Sequence, residues 1–153
     1  MPVRASWGER QLELTTAIFD LNGTLTVHGE LIDGVGDRIR RLSEQLHVLL
    51  LSSDTYGTLD AVAGELQIPA RRAQDAAEKA AVLAEIGARN CVGIGNGNND
   101  ALLLRDAGLG IAVIGPEGCA PAVLAAADIV CTSVVDALDL LLDPQRIGAT
   151  LRP

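Results

Sequence analysis

Several oxygen-bearing side chains stand directly after an apolar segment of the chain, in types and at spacings that suit phosphoryl transfer. Asp20 follows the apolar segment 14–19, and Asn22, Gly23 and Thr24 come just behind it. A carboxylate at the end of a strand can attack phosphorus and form an aspartyl-phosphate. Gly23 lets the backbone bend so that amide N–H groups face a phosphate. This segment therefore predicts a nucleophile at Asp20, with Gly23 binding phosphate and Thr24 in support.

A second group of polar side chains follows the apolar segment 47–51. Ser52 and Ser53 come first, and Asp54 stands behind them. A small hydroxyl such as that of Ser52 can donate a hydrogen bond to a phosphate oxygen. We therefore expect Ser52 and Ser53 to bind phosphate and Asp54 to support them.

Lys79 is the only lysine of the chain, because every other basic side chain is an arginine. A compact ammonium is not interchangeable with the planar guanidinium group. Near a carboxylate nucleophile it would offset the negative charge that gathers between nucleophile and phosphate. We predict Lys79 as a catalytic and phosphate-binding residue.

A glycine- and asparagine-rich segment, 95–100, follows a third apolar segment and ends in Asp100. Mg²⁺ prefers hard oxygen ligands and keeps several of its waters. Asp100, with Asn96 and Asn99 beside it, therefore suits Mg²⁺, which we predict as the cofactor.

Each of these segments also has an ordinary structural interpretation. Asp-x-Asn-Gly and glycine-rich segments are common in turns. Ser52 or Asp54 can cap a helix, and a lysine or arginine is usually solvated, as we expect for Arg71, Arg72 and Arg105. Their joint occurrence, in order and at successive strand ends, favours one shared site.

Apolar segments alternate with amphipathic ones along the chain, which predicts an α/β protein with a mostly parallel sheet. Strands are expected at 14–19, 47–51, 71–74, 90–94, 109–114 and 128–131, and a hairpin or flap at 26–31. Helices are expected at 34–45, 55–66, 76–86, 100–107 and 134–142. In such sheets ligands bind beyond the carboxyl ends of the strands. One domain, 1–153, with its core at about 14–142 is the expectation.

Composition excludes several classes of partner. The net charge of −8 argues against nucleic acid and against an anionic membrane surface. No apolar segment approaches the roughly 20 residues of a membrane span, and residues 1–16 lack the apolar core of a signal peptide. Cys91, Cys119 and Cys131 match no zinc site and are interpreted as reduced, buried side chains. A cytoplasmic location is the default expectation.

The ordered set of motifs resembles the haloacid dehalogenase superfamily of phosphohydrolases, and within it the phosphorylation domain of P-type ATPases and its soluble relatives. Segment 20–25 is similar to the nucleophile motif, Ser52–Asp54 to the Thr-Gly-Asp motif, Lys79 to the family's lysine, and 95–101 to its acidic loop. The resemblance covers about 14–142. It implies a three-layer Rossmann-like fold and an aspartyl-phosphate on Asp20. It also implies Mg²⁺ held by the Asp20 carboxylate, the Asn22 backbone carbonyl and the loop with Asn96 and Asp100.

Two positions depart from the family pattern. Asn22 stands where phosphatases of this superfamily have the aspartate that acts as general acid and then base, and an amide cannot exchange a proton at neutral pH. We therefore expect slow dephosphorylation. Asn96 replaces the first aspartate of the metal loop, so the metal site loses one charge and should bind more weakly.

Segments that the family's larger members carry are missing here. No nucleotide-binding domain separates the first two motifs, and there is no room for a cap domain. Such an open site suits a phosphoprotein or a small molecule enclosed by a homo-oligomer.

The leading hypothesis is a phosphohydrolase. The alternative is a phospho-accepting or phosphate-binding regulatory module that scarcely turns over. A receiver domain is a weaker third possibility, because Asp20 lacks an acidic neighbour after the first strand.

Overall fold

The computed structural model describes residues 2–153. Its strands are β1 (Val3–Trp7), β2 (Arg10–Leu14), β3 (Thr16–Phe19), β4 (Thr26–Val27), β5 (Glu30–Leu31), β6 (His47–Ser52), β7 (Ala70–Arg72), β8 (Cys91–Gly95), β9 (Leu109–Val113) and β10 (Ile129–Cys131). Its α-helices are α1 (Val35–Ser43), α2 (Leu59–Leu66), α3 (Ala76–Ile86), α4 (Ala101–Asp106), α5 (Pro121–Ala126), α6 (Val134–Leu142) and α7 (Gln145–Leu151).

Six of the strands form a parallel sheet in the order β10-β9-β8-β3-β6-β7. The central strand, β3, pairs with β6 on one side and with β8 on the other, so that Phe19 lies opposite Leu50 and Ile94. Because all six strands run in one direction, their carboxyl ends meet at one edge of the sheet. That edge receives Asp20, Ser52 and the segment that begins at Gly95.

Helices cover both faces of the sheet, as expected for strands that are apolar along their whole length. Helices α1, α2, α6 and α7 bury their apolar side chains with Ala17 and Phe19 on one face. Helices α3, α4 and α5 pack with Ile18 on the other. The fold is therefore the three-layer α/β architecture that the sequence predicted. Among residues 2–153, none of the helices combines the length and the apolar composition that a membrane crossing requires.

The core reaches further than the predicted 14–142. Residues 3–14 form an antiparallel hairpin of β1 and β2, and Val3 and Leu12 are buried in the same core as the sheet. At the other end of the chain α7 buries Ile147 in that core. The predicted core was too short because the family resemblance behind it covers only about 14–142.

The segment 55–58 was wrongly included in a helix, since α2 begins only at Leu59. Asp54 has a positive φ of 62° and Gly57 one of 67°, and both interrupt helical geometry ahead of α2. The hairpin predicted at 26–31 is confirmed as β4 and β5. No cap domain interrupts the described chain between β3 and β6, or between β6 and α3.

Candidate active site

Asp20 lies at the carboxyl end of the central strand, where the sheet brings the predicted residues together. Its backbone N–H donates to the carbonyl of Ile94 at 2.9 Å, so β3 stays paired with β8 up to this residue. The residue is only 7 % exposed. The side chain of Asp20 is therefore fixed at the floor of the site rather than free on the surface.

Lys79 joins Asp20 to Asp100 beneath the surface. Its Nζ donates to Oδ1 of Asp20 at 3.0 Å and to Oδ1 of Asp100 at 2.7 Å. Lys79 and Asp100 are fully buried. An ammonium between two carboxylates leaves this buried group of three with one net negative charge when all three are ionised.

Asp100 faces inward, away from the surface of the site. Its second oxygen, Oδ2, accepts hydrogen bonds from the backbone N–H groups of Asn96 and Gly97, each at 3.1 Å. Gly95 must be a glycine here, because a Cβ would overlap the Asp100 carboxylate. The structure thus uses Asp100 to hold both Lys79 and the 95–97 backbone. A direct metal contact by Asp100 stays a prediction that this orientation does not support.

Asn96 and Thr24 connect segment 95–101 to segment 20–25. The hydroxyl of Thr24 lies 3.0 Å from Oδ1 of Asn96 and 3.3 Å from Oδ2 of Asp20, and can donate its proton to either oxygen. The amide group of Asn96 donates to the carbonyl of Gly118 at 3.2 Å. Asn96 therefore presents an oriented amide oxygen next to Asp20.

Gly23 shapes the turn that follows Asp20. Its φ of 78° lies in the left-handed region that favours glycine. A Cβ at this position would lie 2.8 Å from Nδ2 of Asn96. The turn can therefore close against Asn96 only with a glycine at position 23.

Ser52 lies at the end of β6, beside Asp20 across the sheet. Its Oγ accepts a hydrogen bond from the backbone N–H of Asp54 at 2.9 Å, which leaves the hydroxyl proton free to be donated. Asp54 in turn accepts from the N–H of Leu59 and pairs with Arg72. The hydrogen bond from Leu59, and to a smaller extent the one from Arg72, lower the pKa of the Asp54 carboxyl. Asp54 thus holds the loop that presents Ser52.

A cleft of about 190 Å³ opens above these groups at the carboxyl edge of the sheet. The predicted residues that line it are Asp20, Asn22, Ser52, Ser53, Asn96 and Asn99. Lys79, Asp100, Thr24 and Asp54 do not line it and act from behind or beside it. A larger cavity lies next to β1 and β2, but its lining holds none of the predicted site residues.

Four cleft residues were not predicted as site residues: Thr55, Tyr56, Glu117 and Gly97, the last of which lies within the predicted segment 95–100. Thr55 and Tyr56 belong to the loop that was interpreted as the start of a helix. Glu117 reaches the site from the turn after β9, and no spacing in the sequence indicates that contact.

Burial dominates the electrostatics of Asp20. Loss of water contact raises the pKa of Asp20 to about 7, and the Asp100 carboxylate acts in the same direction, whereas Lys79 acts to lower it. The pKa of Lys79 is raised, because the attraction of Asp20 and Asp100 outweighs the effect of its own burial. Additional positive charge at the cleft would therefore favour the ionised form of Asp20.

Among residues 2–153, no group of three or more His, Cys, Asp or Glu side chains could hold a metal ion. The cleft does present hard oxygen atoms, namely the carboxylate of Asp20 and the amide oxygen of Asn96. Such a set fits Mg²⁺, which needs few protein ligands when waters complete its shell. The residues present therefore fit a Mg²⁺ site in which Asp20 is the single carboxylate that contacts the ion.

Comparison with known proteins places the fold. No protein-family model matches the chain. The 3-deoxy-D-manno-octulosonate 8-phosphate phosphatase of Moraxella catarrhalis, whose structure holds magnesium, phosphate and KDO, superposes with a TM-score of 0.69 at 21% identity, covering 90% of both chains. The cobalt-bound phosphatase YrbI of Haemophilus influenzae also gives 0.69, at 18% identity over 90% of this chain and 92% of that one. A hydrolase of subfamily III A of the HAD (haloacid dehalogenase) superfamily, from Legionella pneumophila, superposes with a TM-score of 0.67 at 21% identity. The match covers 90% of this chain and 87% of that one. The structural neighbours are thus HAD-superfamily phosphatases and hydrolases, and the sheet and helices match theirs.

A nearer relative by sequence is the uncharacterized protein MJ0073 of Methanocaldococcus jannaschii. It is 52% identical over 64 residues, which cover 42% of this chain and 69% of the relative. Identity at that level over most of the relative's length reflects common descent. The chain therefore belongs to the same family as MJ0073, and it has the HAD-like Rossmann-type fold.

Proposed function

We propose that the chain is a Mg²⁺-dependent phosphohydrolase that works through an aspartyl-phosphate on Asp20. The observation that carries this proposal is the juxtaposition of the Asp20 carboxylate with a buried ammonium, Lys79, and a free hydroxyl proton on Ser52. These groups are a nucleophile and a hydrogen-bond donor to phosphate at one small cleft, with a fixed positive charge buried beneath the nucleophile. The fold that the chain shares with HAD-superfamily phosphatases supports the same reaction class.

In the first step an oxygen of Asp20 forms a bond to phosphorus while the ester P–O bond breaks. The leaving oxygen takes its proton from water, because Asn22 has none to give at neutral pH. Ser52 donates to a phosphate oxygen, and Lys79 offsets the charge of the Asp20 carboxylate. In the second step water attacks the acyl phosphate, which returns the Asp20 carboxylate and releases phosphate.

Mg²⁺ would be held by the Asp20 carboxylate, the backbone carbonyl of Asn22 and the amide oxygen of Asn96. When bound, it supplies positive charge at the phosphate oxygens. Asp100 serves from behind, because both of its oxygens are already occupied by Lys79 and by two backbone amides.

Turnover is slow in this proposal. Asn22 lines the cleft where a proton-transferring group would be needed, and its Oδ1 accepts from the Thr26 hydroxyl at 3.4 Å. General acid–base catalysis typically contributes about 10²–10⁴-fold, which is the scale of the expected deficit.

The presence of Asn22 at the cleft also favours a second candidate, a phospho-accepting regulatory module related to the P-type ATPase branch. Such a module would form the aspartyl-phosphate and hold it, since no titratable side chain follows Asp20 at position 22. In either case the partner is a phosphorylated small molecule or phosphoprotein, and the chain acts as one domain in the cytoplasm, with a homo-oligomer as one way to cover the cleft.

The deciding experiment is phosphate release from 4-nitrophenyl phosphate with Mg²⁺ or with a chelator, for wild type and Asp20→Asn. Asp106→Asn is the matched control, because Asp106 is an aspartate at the end of α4 that does not line the cleft. The hydrolase requires Mg²⁺-dependent release that Asp20→Asn abolishes and Asp106→Asn keeps. Stable phosphate labelling of Asp20 that hydroxylamine removes, without multiple turnover, would instead establish the regulatory module, and activity retained by Asp20→Asn would reject both.

A further inference from the structure

One wall of the cleft carries a carboxylate that the proposed reaction does not use. Glu117 lines the cleft together with Asp20, Asn22 and Asn96. Its side chain is exposed. Glu117 therefore offers a solvated negative charge at the wall of the cleft.

The position of Glu117 is defined by the turn 115–118 on which it stands. Gly118 donates its N–H to the carbonyl of Gly115 at 2.9 Å, which closes the turn, and its own carbonyl accepts from Asn96. Glu117 lies against Gly23, since a Cβ placed on Gly23 would be 3.1 Å from the carboxyl carbon of Glu117. The carboxylate is thus held over the turn that follows the nucleophile.

No side chain at the cleft offsets the charge of Glu117 toward the substrate. Among residues 2–153, none of those that line the cleft is basic. Lys79 is fully buried and committed to Asp20 and Asp100. The nearby Arg72 is paired with Asp54 and Asp60.

The facing wall of the cleft is polar but uncharged. It consists of Ser53, Thr55 and Tyr56, and the Tyr56 side chain is 54 % exposed. Hydroxyl groups and an aromatic ring can contact a hydroxylated or cyclic leaving group, but they do not neutralise an anion.

From this arrangement we infer that the cleft selects phosphomonoesters whose leaving group carries no negative charge, and that Glu117 is the residue that determines this specificity. The inference rests on the proposed phosphohydrolase function. A carboxylate on the leaving group would lie beside Glu117 with no basic side chain to pair with it, whereas a hydroxyl or an ammonium group in the same place can donate to Glu117.

The test uses two short phosphomonoesters that differ only at one end. Glycerol 3-phosphate ends in a hydroxymethyl group, and 3-phosphoglycerate ends in a carboxylate at the same carbon. Their kcat/KM values are compared at fixed free Mg²⁺ for wild type, Glu117→Gln, Glu117→Lys and Glu44→Gln. Glu44 provides the matched control, because it is an exposed glutamate at the end of α1 that does not line the cleft.

Wild type should favour glycerol 3-phosphate by roughly three- to tenfold, the scale of a like-charge contact that is partly screened by water. Glu117→Gln should remove most of that preference, Glu117→Lys should reverse it, and Glu44→Gln should keep it. Raising the NaCl concentration should reduce the preference of wild type, which tests the charge effect without any substitution.

Hydrolysis of 4-nitrophenyl phosphate by wild type distinguishes a failure of the inference about Glu117 from a failure of the proposed phosphohydrolase function. If wild type hydrolyses it but does not prefer glycerol 3-phosphate, or if Glu117→Gln keeps the full preference, the inference about Glu117 is wrong and the phosphohydrolase stands. If wild type hydrolyses none of the three esters, the proposed function fails, and the inference that rests on it fails as well.

Discussion

The ammonium nitrogen of Lys79 lies 2.7 Å from Oδ1 of Asp100, closer than the 3.0 Å that separates it from Oδ1 of Asp20. Lys79 and Asp100 have no exposed surface. Asp100 therefore fixes the Lys79 ammonium beneath the Asp20 carboxylate. The sequence predicted Asp100 as a ligand of the metal ion. In the structure its carboxylate binds the Lys79 ammonium instead.

Asp100→Asn should destabilise the protein strongly. The variant replaces a buried carboxylate that accepts hydrogen bonds from the Lys79 ammonium and from two backbone N–H groups. A hydrogen bond to a charged group contributes about 1.5–3 kcal/mol, and several are weakened at once. Urea unfolding of wild type and variant measures the loss. Asp143→Asn is the control, since Asp143 forms an exposed pair with Arg146 and should cost less than about 1 kcal/mol. Equal losses in the two variants would contradict the supporting role of Asp100.

Asn22→Asp should increase turnover, because it places a titratable carboxyl two residues after the nucleophile. The expected gain in kcat is about 10²-fold or more if the missing acid limits the rate. Multiple-turnover phosphate release measures it. Asn99→Asp adds the same group elsewhere on the cleft and should give no comparable gain. A gain from Asn99→Asp of the same size would mean that added charge, not proton transfer at position 22, is responsible.

The metal-free protein should lose stability as the pH rises from about 4 to 7. Burial raises the pKa of Asp20 to about 7 in the folded chain, while in the unfolded chain an aspartate titrates near its ordinary value of about 3.9. Between these values the folded state binds the extra proton, so the free energy of unfolding falls with increasing pH by roughly 2–4 kcal/mol. The stabilisation is complete below the unfolded pKa and is lost as the pH passes the folded one.

Urea unfolding of chelator-treated protein at several pH values measures this dependence. Asp20→Asn cannot titrate at this position, so its curve should lack the decline. A wild-type curve parallel to that of Asp20→Asn would contradict the raised pKa.

Gly23→Ala should cost more than Gly57→Ala, although both residues have positive φ. Gly57 has no atom within 4 Å of a new Cβ, whereas the Cβ at position 23 would lie 2.8 Å from Asn96. Backbone strain alone is worth about 1 kcal/mol at either position, and the clash should roughly double or triple the loss for Gly23→Ala. Thermal unfolding of both variants, with phosphate release as a second readout, separates strain from clash. Equal losses would show that the 22–24 turn can move away from Asn96.

The elements predicted best from the sequence are those with local start and stop signals. Helices α3 and α6 have the predicted bounds because Asp75 and Ser133 each accept a backbone N–H at the first turn. The positions of Asp20 and Ser52 at strand ends were also predictable from local sequence. Asp20 directly follows one continuous apolar strand, and Ser52 is the last residue of another.

Features that depend on distant contacts were not predictable in this way. The burial of Lys79 requires Asp20 and Asp100 to meet from two different strands, and its type alone suggested only a possible role. Glu117 reaches the cleft because the turn 115–118 binds Asn96. The β1–β2 hairpin is different, because it carries alternating apolar residues around Gly8, a local pattern that is typical of a hairpin.

The central place of β3 has a consequence for how the chain folds. Thr16 of β3 pairs with His47 of β6 on one side and with Cys91 of β8 on the other. Strand β3 therefore has both of its neighbours only after two parallel pairings between residues distant in sequence have formed. Closing such long loops slows folding relative to helix formation. If the chain binds phosphate as proposed, that binding should return late in refolding, after the helical signal has recovered, because it requires the completed sheet.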